Sequence, residues 1–126
     1  MIDGMRLLLL EDEALVAMFI EDVLQELGCE VIRVTTSVSS ALRFLAGEAA
    51  AIDAAILDVN LGAETAYPVA AALHERGIPF AFATGYGTAG IRQDFNDAPV
   101  ITKPFGELAL EAAVAELGSQ LVQRKA

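Results

Sequence analysis

A doubly wound α/β fold is predicted by two features of this sequence. Short apolar runs alternate with helix-spaced patterns five times along the chain. The runs are also nearly free of polar residues, as strands buried on both faces must be. Five strand-then-helix units imply parallel pairing with right-handed crossovers. At 126 residues the chain is long enough to bury one core without disulfide or metal staples. The expected architecture is a flavodoxin-like (βα)5 domain spanning residues 1–126, with a five-stranded sheet in the order 2-1-3-4-5.

The elements follow in turn. Residues 5–10 are apolar except Arg6 and form the first strand. Residues 14–27 have helical spacing, with Leu15, Met18, Phe19, Val23 and Leu27 on one face, and Gly28 stands where the helix should stop. Residues 30–34 make a second, more polar strand. Ser37 caps a helix running through Leu45. Residues 52–57 are apolar except Asp53, form the third strand and end at Asp58. Pro68 suits a first helical turn, and that helix runs to Arg76 and stops at Gly77. Residues 78–83 and 100–102 are the fourth and fifth strands. A last helix covers about 106–121, with Leu108, Ala112, Leu117 and Leu121 inward.

Composition excludes several classes. Apolar residues make up 55% of the chain, too many for a disordered one. No apolar run approaches a membrane span, and no basic-then-apolar leader opens the chain, so a cytoplasmic protein without membrane attachment is expected. The single cysteine, Cys29, fits a reducing compartment and reads as structural. The net charge of −10 disfavours nucleic acid, whose binders neutralise phosphates with basic side chains. A cation or a basic protein surface suits this charge better. His74, the only histidine, lies mid-helix and reads as a surface residue.

In open α/β sheets the site lies beyond the carboxyl ends of the strands. Glu11, Asp12, Asp58, Thr84 and Lys103 all fall there. Glu11, Asp12 and Asp58 converge where strands one and three end. Three neighbouring carboxylates repel, so one is protonated or a cation sits among them. A hard divalent ion such as Mg²⁺ is the simplest such cation. The plainer alternative for Asp12 and Glu13 is capping of the helix that follows. Lys103 is one of only two lysines and stands directly after a strand, before Pro104. There it can neutralise carboxylates and hold phosphoryl oxygens; the alternative is an ordinary surface lysine. Thr84 offers a hydroxyl to the same pocket or is simply a β-branched strand residue.

Together these residues give the chain its resemblance. Leu7-Leu8-Leu9-Leu10-Glu11-Asp12-Glu13, Leu57-Asp58-Val59-Asn60-Leu61, Ala83-Thr84-Gly85 and Thr102-Lys103-Pro104-Phe105 closely resemble the receiver domain of two-component response regulators, over residues 7 to about 121. Phe82-Ala83-Thr84-Gly85-Tyr86-Gly87, with Asp58-Val59-Asn60-Leu61 and Tyr67-Pro68-Val69-Ala70, looks like the Phe-Ala-Thr-Gly (FAT GUY) branch of single-domain receivers, although the sixth position, often Tyr there, is Gly87. The resemblance implies that Asp58 accepts a phosphoryl group from a kinase phosphohistidine. It implies that Glu11, Asp12, Asp58 and the main-chain carbonyl of Asn60 hold Mg²⁺, while Thr84 and Lys103 hold the phosphoryl oxygens. It further implies a cis Lys103–Pro104 bond. The implied partners are a sensor histidine kinase or phosphotransfer protein and a downstream protein target. Such a domain catalyses only its own phosphorylation and dephosphorylation.

Two departures from the family pattern stand out. Val100 occupies a position where receivers commonly carry an aromatic residue. The interval from Thr84 to Lys103 is short by roughly one helical turn and contains Gly85, Gly87 and Gly90, so the fourth helix should be short or labile. Tyr86 stands two residues after Thr84, where it can shield the phosphoryl group or merely pack on its loop. No output domain is expected, because residues 123–126 are too few to form one. Three rival readings stand beside this one, and a flavin binder is the weakest, because Glu11-Asp12-Glu13 after strand one would repel a flavin phosphate. A degenerate receiver would be a pure interaction module. A haloacid-dehalogenase-like phosphatase would need a general acid two residues after Asp58, where Asn60 stands.

Overall fold

The computed structural model describes residues 3–85, 91–95 and 97–125. Five parallel strands form the main sheet: β1 (Arg6–Leu10), β2 (Glu30–Thr35), β3 (Ala54–Asp58), β6 (Phe80–Thr84) and β7 (Val100–Thr102). Their order is β2-β1-β3-β6-β7, which is the 2-1-3-4-5 order expected. Between β3 and β6 lies a small antiparallel hairpin, β4 (Asn60–Leu61) with β5 (Glu64–Thr65), which the sequence reading did not anticipate. Gly62, at φ +69°, makes its turn possible.

Alternation along the strands builds two cores. Leu8, Leu10, Ala55, Leu57, Phe80 and Phe82 face one side, against α2 (Val38–Glu48) and α3 (Tyr67–Glu75). Leu7, Leu9, Ala54, Ile56, Ala81 and Ile101 face the other, against α1 (Ala14–Glu26) and α4 (Glu107–Lys125). Both faces are covered, which is why the strands lack polar alternation. The two polar interruptions noted in the runs explain each other. Arg6 and Asp53 pair at 2.9 Å at the amino ends of neighbouring strands, where solvent reaches them.

The helix boundaries follow their local signals. Ser37 caps α2 with a reciprocal bond to Ser40. Pro68 sits in the first turn of α3, and Gly28 and Gly77 close α1 and α3 with φ of +91° and +68°. Two inward faces need correction. In α1 the buried residues are Ala17, Ile20, Val23 and Leu24, while Leu15 and Met18 are 80% and 58% exposed. In α4 they are Leu110, Ala113, Val114 and Leu117; Leu108 is 82% exposed and Ala112 is exposed as well. Both helices carry apolar residues on more than one stripe. Periodicity alone therefore fits two rotations, and packing on the sheet selects the stripe with alanines that allow close approach.

Between β6 and β7 the described residues hold a single 3₁₀ turn, Gln93–Phe95. Residues 86–90 and 96, and with them Tyr86, Gly87 and Gly90, lie outside the described residues. Among the described residues, no helix is long and apolar enough to cross a membrane.

Candidate phosphoacceptor site

Parallel register brings the carboxyl ends of β1, β3, β6 and β7 to one edge of the sheet. Asp58, the last residue of β3, pairs with Ala83 of β6, so Thr84 follows one step beyond it. The ladder continues past the strands, with Glu11 N–H donating to the Thr35 carbonyl and Val59 N–H to that of Ala83. Lys103 N–H likewise donates to the carbonyl of Thr84 at 2.8 Å. Main-chain hydrogen bonds thus tie together the strand ends that bear Glu11, Asp58, Thr84 and Lys103.

The side chains meet as follows. Asp58 is 3% exposed, and Glu11 and Thr84 are 1% exposed. The Lys103 ammonium lies 3.2 Å from Asp58 Oδ2 and 3.4 Å from Glu11 Oε1, with Glu13 Oε1 at 4.0 Å. Asp58 Oδ1 accepts a hydrogen bond from the Asn60 amide at 3.3 Å. Lys103–Pro104 is cis, as expected. The capping alternative for the first acids receives limited support. Glu13 occupies the N-cap of α1 without a side-chain cap bond, and Glu11 Oε2 instead accepts from the Glu13 amide at 3.1 Å.

Electrostatics follow from this crowding. Burial raises the Glu11 pKa to about 7, and the Asp58 charge adds to the rise. Burial alone would lower the Lys103 pKa, but the charges of Asp58 and Glu11 outweigh it and raise it. One ammonium between two buried acids leaves the pocket short of positive charge.

A cation fits that shortage. Glu11 Oε1 is buried with the Lys103 ammonium, at 3.4 Å, as its one cationic neighbour among the described residues, and Glu11, Asp12 and Glu13 each offer a carboxylate oxygen within 4.8 Å of the others. Glu13, by sequence a capping residue, thus stands with the other two acids. His74, by contrast, lines a cleft with Gly77, Pro79 and Phe80 at the opposite ends of the strands.

No protein-family model matches the chain, and no curated protein matches it. Solved structures do. SdrG from Sphingomonas melonis Fr1 is 41% identical, with 94% of this chain and 97% of that one covered and a TM-score of 0.73. The BeF3-activated conformation of SdrG from Pseudomonas melonis Fr1 gives 44% identity, coverage of 93% and 98%, and a TM-score of 0.75. This chain belongs to the response regulator receiver domains. The response regulator PhyR from Brucella abortus is 29% identical with a TM-score of 0.75, and the match covers 97% of this receiver but 49% of PhyR.

Proposed function

We propose that this receiver is a phosphorylated signalling domain whose acceptor is Asp58. The observation that carries this reading is the shared ammonium: Lys103 sits within 3.4 Å of both a buried strand-end aspartate and a buried glutamate. An oxygen of Asp58 attacks the phosphorus of a phosphohistidine, the phosphorus–nitrogen bond breaks, and an acyl phosphate results. Lys103 and the Thr84 hydroxyl hold the phosphoryl oxygens, so the ammonium exchanges part of its carboxylate pairing for the new charge. Glu11, Asp12 and Asp58, with the main-chain carbonyl of Asn60, hold Mg²⁺. When bound, the ion supplies the neutralising charge that three acids and a phosphoryl group require.

The domain turns over no separate substrate; it promotes its own loading and the hydrolysis that ends it. Its donor is a sensor histidine kinase or a phosphotransfer protein in the cytoplasm. An exposed apolar rim suits docking of that protein. Leu15 and Met18 on the first turns of α1, and Leu108 on the first turn of α4, stand beside the helix ends nearest the acids, and Phe19 meets Phe105 at 6.3 Å between them. Loaded, the domain signals through a downstream protein or draws phosphoryl groups away from the donor. The Phe82-Ala83-Thr84-Gly85 run supports a reading as a member of the FAT GUY branch.

Intact mass after incubation with acetyl phosphate tests the reading. Wild-type protein gains one phosphoryl group only when Mg²⁺ is present, and Asp58→Asn gains none. Loading that survives Asp58→Asn moves the acceptor elsewhere.

A further inference from the structure

Tyr67, the first residue of α3, touches β6 and the 92–95 segment beside the site. Its neighbour Ala66 donates its amide to the Val59 carbonyl at 3.0 Å, which ties the start of α3 to the loop leaving Asp58. The Tyr67 hydroxyl accepts a hydrogen bond from the Arg92 amide at 3.1 Å. The ring stacks on Phe95, with centroids 5.7 Å apart and planes 4° apart, and meets Phe82 edge-on at 5.8 Å. Phe82 is fully buried two residues before Thr84. The Arg92 guanidinium covers the rings of Tyr67 and Phe95 at 5.2 and 5.7 Å and is held there by two bonds to Asp94.

From this arrangement we infer that Tyr67 is a positioning residue for the phosphoryl site, setting where the strand end bearing Thr84 stands relative to Asp58. The inference rests on the phosphoacceptor reading above. Phosphoryl transfer depends on donors on one strand meeting oxygens carried on another, and small misplacements slow it sharply. Core packing at residue 67 needs only an apolar ring. A hydroxyl bound to the amide of an exposed residue is not required for burial, because water can satisfy that amide. The bond selects one placement of the 91–95 segment, and the Phe95–Tyr67–Phe82 contacts carry that placement to β6.

Tyr67→Phe removes the hydroxyl and keeps the ring. With acetyl phosphate and saturating Mg²⁺, its maximal loading rate should fall about fivefold, the rate equivalent of one ordinary hydrogen bond. The Mg²⁺ affinity and the donor concentration giving half-maximal rate should stay as in wild type. Val114→Ala, a cavity on the opposite face of the sheet, controls for stability and should leave loading unchanged below its unfolding range. Wild-type kinetics in Tyr67→Phe would overturn the inference, as would equal slowing in Val114→Ala. Absence of loading in the wild type would instead remove the phosphoacceptor reading, and this inference with it.

Discussion

Glu11→Gln separates charge from packing in the acidic pocket. Glu11 is 1% exposed, and burial, aided by Asp58, lifts its pKa from 4.5 to about 7. An acid whose folded pKa lies above its unfolded value binds extra proton on folding. Between about pH 4.5 and 7 the folded wild type therefore holds up to one more proton at Glu11 than the unfolded chain. Stability falls as pH rises through that window and levels off above it. At 1.36 kcal/mol per pKa unit, the Glu11 contribution to that fall is about 3 kcal/mol. The raised pKa of Lys103 acts only in the alkaline range, outside the window. Glutamine keeps the shape and removes the proton site, so the variant should lack this part of the slope. Above pH 7 it should exceed wild type by up to about 3 kcal/mol, a figure in which the Lys103 attraction is already counted. Urea unfolding followed by circular dichroism across the window gives both curves. Saturating Mg²⁺ should stabilise the wild type most above pH 7, where Glu11 is ionised. Parallel curves for wild type and Glu11→Gln would refute the assignment of the slope to Glu11.

Three further outcomes are expected. Asp12→Ala should weaken Mg²⁺ binding and acetyl-phosphate loading together, because a carboxylate beside the Glu11 oxygens is lost; equal Mg²⁺ affinity by calorimetry would remove Asp12 from the ion's ligands. Leu15→Asp with Met18→Asp should change stability by less than about 1 kcal/mol, since both side chains are largely exposed. The same pair should slow transfer from a phosphohistidine protein and spare loading from acetyl phosphate. Gly28→Ala should cost about 1–2 kcal/mol in urea, because residue 28 sits at φ +91°, where a Cβ is strained; the Asp3 carboxylate beside it can swing aside. An unchanged unfolding midpoint would show that the turn relaxes without strain.

The sheet and most of the candidate site are legible in the sequence. Apolar runs with few polar interruptions suit strands covered on both faces, and five strand segments in alternation with helices leave few topologies. Once that order is set, Asp58, Thr84 and Lys103 must gather at one edge, because each ends a neighbouring strand or follows it directly. The resemblance added roles that spacing alone does not assign. What sequence left open was orientation. Leu15 and Met18 in α1, and Leu108 in α4, fit a buried stripe by period, yet the sheet accepts the alternative stripes through Ala17 and Ala113. The hairpin at Asn60–Leu61 and Glu64–Thr65 was also hidden, since two-residue strands carry too little pattern to read. Tertiary structure alone decided that Glu11 is buried and that one ammonium serves two acids. It alone set Tyr67 between Phe82 and Phe95. Such contacts join residues distant in the chain, and their distances depend on how helices settle on the sheet, a matter of packing that no local pattern encodes.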